Sequence, residues 1–335
     1  MIGIDLPTVW AGLISLALLA YVSLDGFDLG IGVLFPFGRD RSERDVMMNS
    51  VAPVWDGNET WLVLGGGGLF AAFPVAYSVL LTAFYAPVIA MLLALILRGV
   101  AFEFRFRSER AKSWWDIAFV GGSTLAAFCQ GLMVGTFVQG VRVEHGAYAG
   151  GWFDWLTPFT VLCGVALVTG YALLGASWLV IKTEGELQTR LRRLQTPLGL
   201  VVLALIGLVS LLTFIENDPV RARWLDLPAH AWMWIIPFAT AVLGTMFVLG
   251  VRARRELSPF LCAWGVFVLA FAGLAVSRFP YAIPPSVTYY EAANADTSLQ
   301  FMLVGALVLL PIILGYTSYA YWVFRGKVRP GSGYH

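Results

Sequence analysis

Charge is what this sequence lacks. Only 13% of its 335 residues are Asp, Glu, Lys or Arg, against roughly 25% in soluble domains. With 59% hydrophobic residues and a mean hydropathy of +0.75, this excludes a water-soluble enzyme or a nucleic-acid-binding module. Histidine and cysteine are scarce as well, three of each. His145 falls in a connection, His230 opens an apolar run, and His335 is the last residue. None lies deep in an apolar run, where a haem held by a helix bundle would need a buried His, or Met with His. His230 with a nearby Met is the one arrangement left for a surface haem. Cys129, Cys163 and Cys262 sit in different apolar runs without CxxC spacing, so they read as packing residues rather than a disulfide or zinc set. Metal-ligand spacings and hydrolase motifs are missing too. No catalytic centre and no metal are expected in this chain alone. No basic n-region precedes the first apolar run, since the first Lys or Arg is Arg39. That run reads as a spanning helix rather than a signal peptide.

What the sequence has is long apolar runs. Nine approach or exceed the roughly 20 residues a helix needs to cross the hydrocarbon core. Their approximate limits are 8–36, 52–74, 78–103, 115–138, 158–181, 197–215, 230–250, 259–277 and 299–324. The expected fold is all-α: an integral membrane helical bundle of nine transmembrane helices, forming one polytopic domain over 1–335. Barrel strands would show only weak alternation.

Orientation follows from the basic residues. One set of alternate connections holds seventeen of the 22: Arg39, Arg41, Arg44, Arg105, Arg107, Arg110, Lys112, Lys182, Arg190, Arg192, Arg193, Arg252, Arg254, Arg255, Arg325, Lys327 and Arg329. The other set holds Arg142, Arg221, Arg223 and Arg278, and Arg98 lies inside a run. This predicts the N-terminus outside and the C-terminus in the cytoplasm.

The few charges inside apolar runs cluster in the first three. Asp25 and Asp28 are three apart, and so are Asp56 and Glu59, so each pair shares a helical face. Arg98 and Glu103 fall in the last turns of the third run. With the predicted orientation, all occupy the cytoplasmic half. Ionisable groups at membrane depth are costly and mark function by default. Asp56, Glu59, Asp25 and Asp28 are therefore candidates for proton transfer, with Arg98 as counter-ion. The competing reading has Arg98 paired with one or two carboxylates and the rest capping helix ends, where the macrodipole favours Asp56. A proton-coupled transporter and a pure scaffold are the other functional alternatives.

Asp25-Gly26-Phe27-Asp28-Leu29-Gly30, followed by Asn49-Ser50-Val51-Ala52-Pro53-Val54-Trp55-Asp56-Gly57-Asn58-Glu59, resembles subunit II of the cytochrome bd quinol oxidases. Arg98-Gly99-Val100-Ala101-Phe102-Glu103-Phe104-Arg105, Phe279-Pro280, and Pro311-Ile312-Ile313-Leu314-Gly315-Tyr316-Thr317 fit the same family. Trp55-Asp56-Gly57-Asn58-Glu59-Thr60-Trp61 looks like the branch often called cyanide-insensitive; other members have His at Trp55 and Gln at Glu59. The resemblance implies a heterodimer with a haem-bearing subunit I that holds two b haems, one d haem and the quinol site. It implies no haem in this chain and a cytoplasmic proton route at Asp56. Quinol and oxygen are the implied substrates, and the bacterial cytoplasmic membrane is the implied location. A structural quinone or lipid and a small single-helix third subunit are left open.

Overall fold

The computed structural model describes residues 5–227, 229–329 and 331; His335 lies outside them. The described chain is helical apart from two short hairpins. Its elements are α1 (Leu6–Leu34), α2 (Arg41–Asn49), α3 (Trp55–Ala72), α4 (Pro74–Ala83), α5 (Tyr85–Arg107), α6 (Lys112–Gln139), β1 (Val143–Glu144), β2 (Ala147–Tyr148), α7 (Pro158–Lys182), α8 (Gly185–Glu216), α9 (Asp218–Leu225), α10 (Ile235–Arg252), α11 (Leu257–Arg278), β3 (Tyr281–Ile283), β4 (Val287–Thr288), α12 (Tyr289–Ala292) and α13 (Asp296–Val323). Both hairpins, β1–β2 and β3–β4, are antiparallel.

Local chemistry sets several boundaries. Asp5 caps α1 by accepting from the Thr8 amide, with Pro7 in the first turn. Thr157 caps α7 in a reciprocal box with Thr160, again followed by Pro. The continuous run expected at 78–103 is divided. Pro74 opens α4, and Pro87 brings no amide hydrogen to the first turn of α5, so the chain breaks at Phe84. The helix expected at 197–215 instead begins at Gly185. Its extra turns carry Arg190, Arg192 and Arg193, a polar extension that hydropathy does not register, and Pro197 is accommodated inside the helix.

Among the described residues, eight helices are long and apolar enough to cross a membrane: α1 and α10 with their adjoining short turns, α5, α6, α7, α8, α11 and α13. Helix α3 falls outside this group because Asp56, Asn58 and Glu59 occupy its first turns.

Helix α1 packs on α3, α6 and α7; α5 lies on α6, α7 also touches α8 and α11, and α10 lies on α11. The closest approach is between α1 and α7. A Cβ at Gly30 would stand 1.8 Å from the Tyr171 carbonyl oxygen, and one at Gly175 would stand 2.5 Å from the Gly30 carbonyl carbon. Two backbones meet there with no room for a side chain, as small residues permit between membrane helices. Helix α13 lies at the rim and buries only Leu299.

Contacts sort the connections into two ends. At one end Arg190 meets Glu43, Arg105 meets Asp45, and Lys327 meets Glu256. At the other, Tyr290 donates to Asp5, the Asn294 amide to Ala72 and the Val141 amide to Pro284. Most of the basic residues belong to connections at the first end.

Candidate functional site: buried acidic and basic side chains between α1, α3 and α5

Tyr21, Asp25 and Asp28 follow one another on α1 at spacings of four and three, which aligns them along one stripe. Arg98 of α5 reaches across to that stripe. Its Nη1 donates to Asp25 Oδ2 at 3.0 Å and its Nη2 to Asp25 Oδ1 at 2.7 Å. This is the parallel fork that suits guanidinium and carboxylate. The same Nη2 lies 4.0 Å from Asp28 Oδ2. All three side chains are fully buried in this chain.

Asp28 has a second neighbour from α3. Asn58 Nδ2 donates to Asp28 Oδ2 at 2.8 Å, and Tyr321 of α13 donates its hydroxyl to Asn58 Oδ1 at 2.9 Å. Higher on α1, Gln130 Nε2 donates to the Tyr21 hydroxyl at 2.7 Å, and Tyr171 donates to Gln130 Oε1 at 2.7 Å. A polar seam thus runs along α1 through an otherwise apolar core. Asp28 Oδ1, Arg98 Nε, Trp61 Nε1 and Ser23 Oγ have no hydrogen-bond partner within it. Groups of this kind, away from bulk solvent, are normally met by internal water or another polar group.

The expected residues are therefore not one cluster. Asp25, Asp28 and Arg98 come together. Glu59, the residue after Asn58, is half-buried and within electrostatic reach of Arg98, Asp25 and Asp56. Asp56 is exposed on the first turn of α3, and Glu103 is exposed and paired with Arg107 at 3.5 Å. The neighbouring Trp55 stacks on Phe102, centroids 4.7 Å apart. One guanidinium serves two fully buried carboxylates, so the pair retains a negative charge if both are ionised. Burying such a charge is costly unless a proton or a further donor compensates it.

Asn58, Gln130, Tyr21, Tyr171 and Tyr321 complete the seam but were not among the expected site residues. The available signal was modest: Gln130 is the one amide inside its apolar run, and Tyr21 lies one turn from Asp25 on the same stripe.

Tyr321 also borders a cavity of about 280 Å³ at the basic end, with Ser50, Trp178, Lys182 and Lys327. Lys182 holds the following chain by donating to the Phe324 and Gly326 carbonyls. Also at this end, Arg105 is fully buried between Asp116 and Asp45, each at 2.5 Å.

Among the described residues, no three His, Cys, Asp or Glu side chains are grouped to hold a metal ion. His145 sits in the β1–β2 turn, and His230 contacts Asp226 at 3.2 Å. The three cysteines are free and buried.

Residues 6–324 match the family model for cytochrome bd terminal oxidase subunit II. The chain belongs to that family. It is 30% identical to cytochrome bd-I ubiquinol oxidase subunit 2 of Escherichia coli K12, over 96% of this chain and 94% of the relative. It is also 30% identical to cytochrome bd ubiquinol oxidase subunit 2 of Bacillus subtilis, over 97% of each. In fold it matches the bd oxidase structure from Geobacillus thermodenitrificans with a TM-score of 0.79, at 18% identity, covering 96% of this chain and 99% of that one. Family membership favours the oxidase reading over a proton-coupled transporter.

Proposed function

We propose that this chain is the haem-free subunit II of a membrane quinol:oxygen oxidoreductase in the bacterial cytoplasmic membrane. It stabilises a haem-bearing subunit I and supplies that partner with protons from the cytoplasm. The haems of the complex, two b and one d in subunit I, supply the electron transfer and oxygen chemistry. Oxygen reduction to water consumes protons, and quinol oxidation releases them. A gradient then forms if uptake is on one side and release on the other, with no pump.

The observation that carries the proton reading is the second buried carboxylate. Arg98 is already bidentate to Asp25, which leaves Asp28 with Asn58 and a distant guanidinium nitrogen. A carboxyl group so placed is suited to taking up and releasing a proton. Glu59 and the exposed Asp56 extend acidic groups from that pair to the surface of α3.

Nine spans with the N-terminus outside are supported by the positions of the chain ends. Asp5 and Phe324 lie at opposite ends of the bundle, which fits an odd number of crossings. Helix α3 supplies the ninth: its 18 residues reach about 27 Å at 1.5 Å each, close to the roughly 30 Å hydrocarbon core. The concentration of Lys and Arg at the Phe324 end supports a cytoplasmic placement of that end. The chain acts as one polytopic unit. Quinol and oxygen are substrates of the complex, and a small single-helix subunit is compatible with it.

The test is substitution in the assembled complex. Asp28→Asn, Glu59→Gln and Asp56→Asn should each slow oxygen uptake with quinol while the haem absorption spectrum persists. Unchanged oxygen uptake in all three would falsify the proton role and leave a scaffold.

A further inference from the structure

The sparsely basic end of the bundle carries a second electrostatic imbalance, independent of the proton reading. Three of its four basic residues stand at one corner, where α9 lies against the end of α11. Arg221 is neutralised there by Asp218 at 2.6 Å. The other two have no carboxylate: among the described residues, neither Arg223 nor Arg278 lies within 4.0 Å of one.

Their roles differ. Arg223 caps the end of α11 by donating Nη1 to the carbonyls of Val276 and Phe279. That satisfies the helix terminus, where cations are favoured. Arg278 is then left over. It is only 6% exposed, its Nε and Nη2 have no hydrogen-bond partner, and it lies within electrostatic reach of Arg223. A guanidinium enclosed this way is unfavourable unless an acceptor meets it. Two adjacent cations without a counter-charge make the missing acceptor an anion.

The setting indicates which anion. Trp224 donates to Ser277 at 3.0 Å, Trp234 donates to the Trp224 carbonyl at 3.1 Å, and Trp232 lies exposed beside them. Tryptophans grouped at helix ends mark headgroup depth. Ile215 at the end of α8, and Ile235 and Phe238 in the first turns of α10, are exposed apolar residues at this same end of the bundle. The guanidinium fork matches phosphate oxygens, and basic pockets between membrane helices hold anionic headgroups.

We propose that Arg278, assisted by Arg223, binds a phosphate oxyanion at this corner, contributed by the headgroup of an anionic phospholipid. The acyl chains lie along these exposed apolar residues.

The assembled complex is stripped of lipid in detergent and titrated with phosphatidylglycerol, and bound lipid is counted by native mass spectrometry. Arg278→Gln is expected to abolish one retained phosphatidylglycerol or weaken it by at least about tenfold, the loss expected for a charge-assisted contact. Arg278→Lys retains part of the binding, and Arg223→Gln weakens it while leaving Arg278 in place. A parallel titration with inorganic phosphate separates the sources: a lipid resists displacement, whereas a free oxyanion at the same site exchanges. Equal lipid counts and affinities in the native complex and all three variants overturn the proposal. Loss of the partner subunit from Arg278→Gln with lipid binding unchanged also overturns it, because a partner carboxylate is then the acceptor. Should Arg278→Gln fail to assemble, Arg223→Gln and Arg278→Lys give the same reading.

Discussion

Arg98 grips Asp25 with two parallel hydrogen bonds, at 3.0 and 2.7 Å, and neither side chain reaches the surface of the chain. This contact ties α5 to α1 inside an apolar core. Removing one member of such a pair strands the other, at a cost of about 3–5 kcal/mol. Arg98→Gln strands two carboxylates, Asp25 and Asp28, and is the more damaging choice. It should lower the thermal melting point of the solubilised complex well below that of Asp25→Asn. The double variant Asp25→Asn with Arg98→Gln should recover only the part of the loss due to Asp25, because Asp28 still lacks its cation. Melting followed by size-exclusion chromatography checks this ordering; a single Arg98→Gln as stable as the native complex would contradict it.

The α1–α7 crossing gives a sterically sharper expectation. At Gly30 an added methyl group meets backbone, not a movable side chain. Ordinary overpacking costs about 1–3 kcal/mol, and a 1.8 Å approach to a carbonyl oxygen cannot be relieved by a rotamer change. Gly30→Ala should abolish assembly. Gly66→Ala and Gly67→Ala meet nothing within 4 Å in this chain and should leave its own packing intact. If either of these α3 variants prevents assembly, the partner subunit packs against that helix. Yield of complex bearing haem is the measurement.

The contrast between these sites shows what the sequence could reveal. Charges inside apolar runs are rare enough to notice, so Asp25, Asp28, Asp56, Glu59 and Arg98 stood out. Their grouping did not follow from spacing alone. Residues three apart on a helix still differ by roughly 60° in direction. That rotation leaves Glu59 half-buried and turns Asp56 outward. Asn58 faces Asp28 instead, and one amide beside two acids carried little signal. The helices themselves were legible as apolar runs, whereas the break at Phe84 and the early start of α8 depend on proline chemistry and on polar turns that hydropathy ignores. By sequence Arg105 is one connection charge among seventeen. Its complete burial arises from a fold contact with Asp45 and Asp116, far apart in sequence.

That contact supports its own prediction. The Nε and Nη1 of Arg105 serve two carboxylates in different directions, and Phe35 stacks against the guanidinium at 5.1 Å. A lysine ammonium cannot reproduce this fork. Arg105→Lys should therefore loosen α2 against α5, raising hydrogen exchange across Arg41–Asn49, while Arg44–Asp116 at 2.9 Å still joins α2 to α6. Because Arg105 is buried, added salt should change exchange in the native protein little. Equal protection of α2 in native and Arg105→Lys protein would show that the fork does not hold it.

Glu256 gives a pH-dependent case outside the spanning helices. Lys327 donates to its carboxylate at 2.7 Å and Gln188 at 2.8 Å. The hydrogen bond from Lys327 chiefly holds the carboxyl below its ordinary value of 4.5, against the opposing effect of partial burial. A group whose folded value is depressed contributes stability above its unfolded value and loses it as pH falls through the folded one. The clamp on the segment after α13 is thus intact at neutral pH and weakens only below about 4.5. Lys182 continues to hold the Phe324 and Gly326 carbonyls there, so the segment should loosen rather than detach. Hydrogen exchange at 324–329, corrected for intrinsic rates, should stay level from about pH 6 to about 4.5 and rise as pH falls further to about 3.5. In Glu256→Gln it should be raised already at pH 6 and respond little to acid. A native profile that stays flat over that range, or a Glu256→Gln profile that rises in parallel with it, would remove Glu256 as the acid-sensitive contact.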